Sequence, residues 1–124
     1  MIKWWSPLEV CGRNLVRGTS MIVRIFRVRV LPGRLSDWKN KVEGISIPWL
    51  RQQEGLIAFY PGKPIDPQDR EFWMISIWKD VESIKKVAGP EWQQPILLED
   101  EADLVETVEI HHFEIFGNKH TPSS

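Results

Sequence analysis

Met21 to Leu31 reads MIVRIFRVRVL. Its β-branched residues, and the strict alternation of Arg27, Val28, Arg29 and Val30, predict a strand with two different faces. Both faces carry apolar side chains: Ile22, Phe26, Val28 and Val30 on one, Val23, Ile25 and Leu31 on the other. Pro32-Gly33 ends the run. A second stretch, Glu71 to Trp78 (EFWMISIW), repeats the pattern, with Trp73, Ile75 and Ile77 opposite Phe72, Met74 and Trp78. A sheet that is apolar on both sides must be covered twice.

Between these two runs, Leu35, Trp38, Val42, Ile45 and Trp49 recur at spacings of 3, 4, 3 and 4, one apolar stripe of a helix. Pro48 cannot donate to the helical ladder and should kink or restart the helix near Ile47. Gly55 closes the segment, and Leu56 to Tyr60 (LIAFY) reads as a short strand. Pro61 to Arg70, with three prolines, one glycine and two aspartates, reads as a loop. After Trp78, Asp80 is a good N-cap for a second helix carrying Val81, Ile84 and Val87. Gly89-Pro90 stops it and starts a short turn that carries Trp92. The acidic run Glu99 to Asp103 reads as a solvated loop. Leu104 to Phe116 (LVETVEIHHFEIF) is the last strand.

The order is strand, helix, strand, strand, helix, strand. That is the split βαβ, ferredoxin-like α+β arrangement, a four-stranded antiparallel sheet with both helices on one face. A second copy of the sheet is the simplest cover for the other face, so a homodimer is expected.

The chain has 124 residues and a formal net charge of -1, enough for one domain and without the basic field that nucleic acid requires. One cysteine, Cys11, rules out an internal disulfide and has no metal-ligand spacing around it. No apolar run is long enough for a membrane span, and Met1 to Ser20 does not resemble a signal peptide, so a cytoplasmic location is expected. Residues 1–20 read as an N-terminal extension or an arm bearing Trp4 and Trp5, residues 21–116 as the domain, and residues 117–124 as a polar tail.

MIVRIFRVRVLPGR, RQQEGLIAFY, FWMISIWKD and VEIHHFEI, in that order, resemble the strands and turns of the antibiotic-biosynthesis monooxygenase domain. The likeness runs from Met21 to about Phe116. It implies a dimeric α/β barrel with a pocket between sheet and helices in each subunit. It also implies a cofactor-independent monooxygenase acting on a small aromatic or quinol-like compound. A non-catalytic small-molecule-binding or stress-associated dimer is the alternative on the same scaffold, and an interaction module using Trp4, Trp5 and the bare sheet is a third. The haem-cleaving branch of similar fold uses an Asn on the first strand and a His on the second helix. Here Phe26 stands at the first position and no histidine precedes His111, which argues against that chemistry.

Oxygenation without metal or flavin needs an electron-rich substrate, an apolar box, a base and a cation for the developing anion. Phe26, Tyr60, Trp73, Trp78 and Trp92 are candidates for the box. His112 or His111 is the candidate base, and Arg27 or Arg24 the candidate cation. The two histidines are adjacent in a strand and point to opposite faces; parity alone leaves open which lines the pocket. Cross-strand carboxylates such as Glu106, Glu109 or Glu114 are expected partners for Arg24, Arg27 and Arg29. No metal site is expected, since a bare His-His pair is not a ligand spacing.

Overall fold

Four strands pair antiparallel in the order β2-β3-β1-β4: β1 Ile22–Val30, β2 Leu56–Gly62, β3 Glu71–Trp78 and β4 Val105–Glu114. The computed structural model describes residues 20–117 and 119–122. The expected extension or arm with Trp4 and Trp5, and Cys11, therefore lie outside the described residues. The central strands are β3 and β1, the two runs that read as apolar on both faces. Their register pairs Arg24 with Ser76 and Phe26 with Met74, and β1 pairs with β4 so that Arg24 stands opposite His112. Paired residues share a face. The helix-side face thus holds Ile22, Arg24, Phe26 and Val28 of β1, Phe72, Met74, Ser76 and Trp78 of β3, and His112 and Ile110 of β4. Together with the helices on one side, this is the ferredoxin-like α+β fold.

β2 runs two residues further than its apolar core, through Pro61 and Gly62. Proline is tolerated there because β2 is an edge strand with one side free of ladder bonds. β4 is correspondingly shorter than the apolar run around it.

The first helical segment is not one smooth helix. It consists of α1 Leu35–Lys41, a π turn Val42–Ser46 and α2 Ile47–Arg51. Pro48 sits in the first turn of α2, but the helical backbone continues through Ser46, so its missing N–H removes a rung of the ladder. The ladder ahead of it loses a partner and opens into the wider π turn. The extra residue shifts the inward stripe by one position. Trp38, Val42 and Trp49 remain inward as the spacing predicts, but Leu50 is the buried residue of α2, Ser46 turns inward, and Ile45 faces away toward Asp37 and Leu104.

Asp80 caps α3, Val81–Ala88, its Oδ1 accepting from the Ser83 backbone N–H at 2.9 Å and from the Ser83 hydroxyl at 2.8 Å. Two core clusters flank the space under the helices. Ile22, Leu50, Trp78 and Ile84 form one; Val28, Val30, Trp38 and Leu104 form the other. The acidic run corrects an expectation. Glu99–Leu104 is a 3-10 turn, and Glu101 within it is buried. It satisfies the Leu98 backbone N–H at 2.6 Å and the Ser46 hydroxyl at 2.6 Å, which a solvated loop would leave to water.

On the opposite face, Val23, Ile25, Ile75 and Ile77 are half-buried in the single chain, while Trp73 and Phe113 are exposed. No helix among the described residues is long and apolar enough to cross a membrane.

Candidate functional site

A cavity of about 370 Å³ lies between the sheet and the helical layer, in the gap between the two core clusters. The helix-facing side of β1 and β3 supplies its floor through Phe26, Phe72, Met74 and Trp78. Trp38, Val42, Ser46 and Trp49 form the roof, and Ile96, Leu98 and Glu101 of the segment after α3 form one wall. Phe26 stacks on Trp38 with ring centroids 6.5 Å apart and planes 17° from parallel. Trp78 donates its indole N–H to Ser76 Oγ at 2.9 Å, which leaves its ring a purely apolar surface.

Arg24 is the polar centre of the floor. It is only 7% exposed, yet no carboxylate among the described residues lies within 4.0 Å of it. The expected cross-strand ion pair forms elsewhere, because Glu106 meets Arg70 and Glu109 meets Arg27. Arg24 instead donates through Nη1 to the Trp92 carbonyl at 2.7 Å and through Nη2 to the Gln94 carbonyl at 3.2 Å. Nη1 also lies 2.7 Å from His112 Nε2. Burial pushes the guanidinium from 12.5 down to about 10, so it remains a cation at neutral pH.

His112 is the histidine on the helix side. Arginine carries only donors, so Nε2 accepts and the ring proton sits on Nδ1. Burial first, then the nearby charge of Arg24, pushes His112 from 6.5 down to about 4, which keeps it neutral at pH 7. Trp92 packs edge-on against it at 4.9 Å. His112 and Trp92 thus hold Arg24 from behind rather than lining the cavity themselves.

The other candidates stand apart. Arg27 points to the opposite face, bonded to Glu71 at 2.9 Å and lying 5.7 Å over the Trp73 ring. His111 is on that face too, 3.2 Å from Glu109. Tyr60, 59% exposed, is also there. Trp73 reaches round to the mouth of the cavity but is 41% exposed. Of the nine residues proposed from sequence, the structure therefore brings Arg24, Phe26 and Trp78 into the cavity, Trp73 to its rim, and His112 and Trp92 behind Arg24.

Sequence reasoning passed over Glu101, Ser46, Trp38 and Trp49 as site residues. Glu101 is 3% exposed and lines the cavity. The available signal was weak: one acidic residue three positions after Leu98, able to close a cap on its backbone. No group of three or more His, Cys, Asp or Glu side chains fit to hold a metal occurs among the described residues. Among the described residues the cavity lining holds no His, Cys or Tyr, so a haem iron would meet no imidazole, thiolate or phenolate there, only the thioether of Met74.

Fold and cavity together define a ferredoxin-like α+β domain with a partly open cavity between sheet and helices. The chain belongs to the antibiotic biosynthesis monooxygenase family, whose model matches residues 21–93. Solved structures share the fold at low identity. SnoaB, a cofactor-independent oxygenase from Streptomyces nogalater, is 17% identical with a TM-score of 0.60, over 84% of this chain and 99% of that one. A haem-degrading protein from Mycobacterium tuberculosis is 13% identical with a TM-score of 0.58, over 83% of this chain and 99% of that one. A Shewanella oneidensis protein reaches a TM-score of 0.64 at 15% identity, over 78% of this chain and 92% of that one. No curated protein matches the sequence.

Proposed function

We propose that the chain binds a small planar aromatic anion in this cavity and acts on it as a cofactor-independent monooxygenase. The observation that carries this reading is Arg24: a buried cation without a carboxylate, set in an apolar chamber. A charge so placed is costly until an anion meets it. A phenolate or enolate oxygen meets that need, and the guanidinium lowers the energy of the oxyanion as it forms. The aromatic and aliphatic walls exclude water from the electron-rich ring. With an anthrone as substrate, dioxygen is the oxidant. One of its atoms becomes the new carbonyl oxygen and the other leaves as water with the two hydrogens of the oxidised carbon, so no outside reductant is required.

Oxygen uptake with a panel of anthrones and hydroquinones tests this. Turnover by the wild type that is lost in Arg24→Met supports it; no uptake with any member of the panel overturns the oxygenase reading.

A second reading, binding without chemistry, is favoured by the state of His112. Its Nε2 lone pair is taken by Arg24 and its low proton affinity makes it a poor base at pH 7. Quenching of tryptophan fluorescence by aromatic ligands recovered unchanged would select it.

The homodimer is part of the same proposal. The half-buried row of Val23, Ile25, Ile75 and Ile77 is the surface a second sheet would cover. We also place the protein in the cytoplasm, a reading that fractionation of cells expressing a tagged chain checks.

A further inference from the structure

The cavity carries two buried charges that do not meet. Arg24 and Glu101 both line it, and neither has an oppositely charged side chain within 4.0 Å among the described residues. They bond to opposite ends of the 92–101 segment. Arg24 holds the start of that segment through the carbonyls of Trp92 and Gln94, and Glu101 closes its end by accepting from Leu98 N–H.

Each end has hydrogen-bonding capacity left over. A guanidinium offers five N–H donors, and Trp92, Gln94 and His112 take three. A carboxylate offers about four acceptor sites, and Ser46 and Leu98 fill two. Spare donors on Arg24 and spare acceptors on Glu101, in a cavity also lined by Phe26, Trp38, Phe72 and Trp78, are complementary to a ligand with the reverse pattern.

We infer that the cavity selects an elongated aromatic with an anionic group at Arg24 and, at its far end, a hydroxyl that donates to Glu101. This rests on the proposed assignment of Arg24 as the anion site and adds the determinant at the other end. A hydroxyl suits Glu101 better than an ammonium, because an ammonium would have to be stripped of its water among apolar walls. A chamber of about 370 Å³ has room for two fused rings.

Three probes separate the two assignments: 2-naphthoate, 6-hydroxy-2-naphthoate and 6-methoxy-2-naphthoate, titrated against the full chain by tryptophan fluorescence quenching. The wild type is expected to bind all three and to prefer the hydroxy compound over the methoxy one by about tenfold, the worth of one hydrogen bond to a charged group. Glu101→Gln, which keeps an acceptor for Leu98 N–H, is expected to reduce that preference, read as the ratio of the two affinities in the variant, to about threefold or less. Arg24→Met is expected to weaken all three alike. Equal binding of hydroxy and methoxy compounds by the wild type overturns the Glu101 assignment and leaves the Arg24 site standing, as does a preference that Glu101→Gln does not move. Failure of 2-naphthoate to bind the wild type overturns the Arg24 site itself.

Discussion

Gly55 turns the chain from α2 into β2 with φ at +84°, and a Cβ there would lie within 2.5 Å of the Ser83 Cβ. Ser83 is held in turn by Asp80, so it has nowhere to retreat. Gly55→Ala is therefore expected to lower unfolding stability by about 2–3 kcal/mol, from left-handed strain and the clash together, as a fall in the urea midpoint at constant slope. His112 gives a second prediction. Its folded pKa lies at about 4, below the 6.5 of the free side chain, so the unfolded chain binds the extra proton first. The stability tied to its neutral state is fully present above pH 6.5 and is lost as the pH falls toward 4. His112→Gln should flatten that acid limb in urea melts taken across the window. An unaltered limb would show that another group titrates there. At this scale the sequence was only partly legible. Alternation sorted Phe26 within β1 and Trp78 within β3, but that the two share the face the cavity uses came only with the strand register. Arg24 shares the parity of Phe26, but a charged residue inside an apolar face cannot be told from an ordinary surface arginine until its neighbours are known. Glu101 was hidden for the same reason, one carboxylate in a run of them.

Element boundaries followed from local chemistry wherever that chemistry was self-contained. Glu71–Trp78 has the expected ends, and Asp80 caps the helix that follows. Asp80→Ala should cost about 1 kcal/mol, the usual worth of a side-chain cap, and should fray α3 first, as faster amide exchange at Ser83. The first helical segment was harder. Periodicity of 3 and 4 assumes an unbroken α-helix, and Pro48 announces a break without saying what form it takes. The π turn then moved Ile45 out and Ser46 in, a shift that no tabulation of apolar spacing contains.

For the whole molecule, the two-faced apolar sheet was the most legible feature, because β1 and β3 are central and carry the pattern on their own. What covers the outer face sets the third kind of prediction. Ile75→Asp, in the middle of β3 and pointing away from the helices, should convert a dimer to monomers in sedimentation velocity while the far-ultraviolet spectrum stays unchanged. A wild-type chain that sediments as a monomer would remove the second sheet from the proposal and leave the cavity untouched. The site was less legible than the scaffold, since the cavity is formed where the 92–101 segment crosses over β1, a contact between parts of the chain some seventy residues apart.

The turn from Val42 to Ser46 holds one residue more than an α turn requires. Loss of a single codon between Val42 and Ile45 would let the helix run through, rotating α1 against α2 by roughly 100°. Ser46 and Trp38 could not then both keep their present aim, whereas Arg24, carried by a strand, would stay where it is. One end of the chamber is thus open to respecification by small insertions and deletions while the other is anchored in the sheet, an arrangement that would let descendants of one scaffold exchange ligands without rebuilding their anion site.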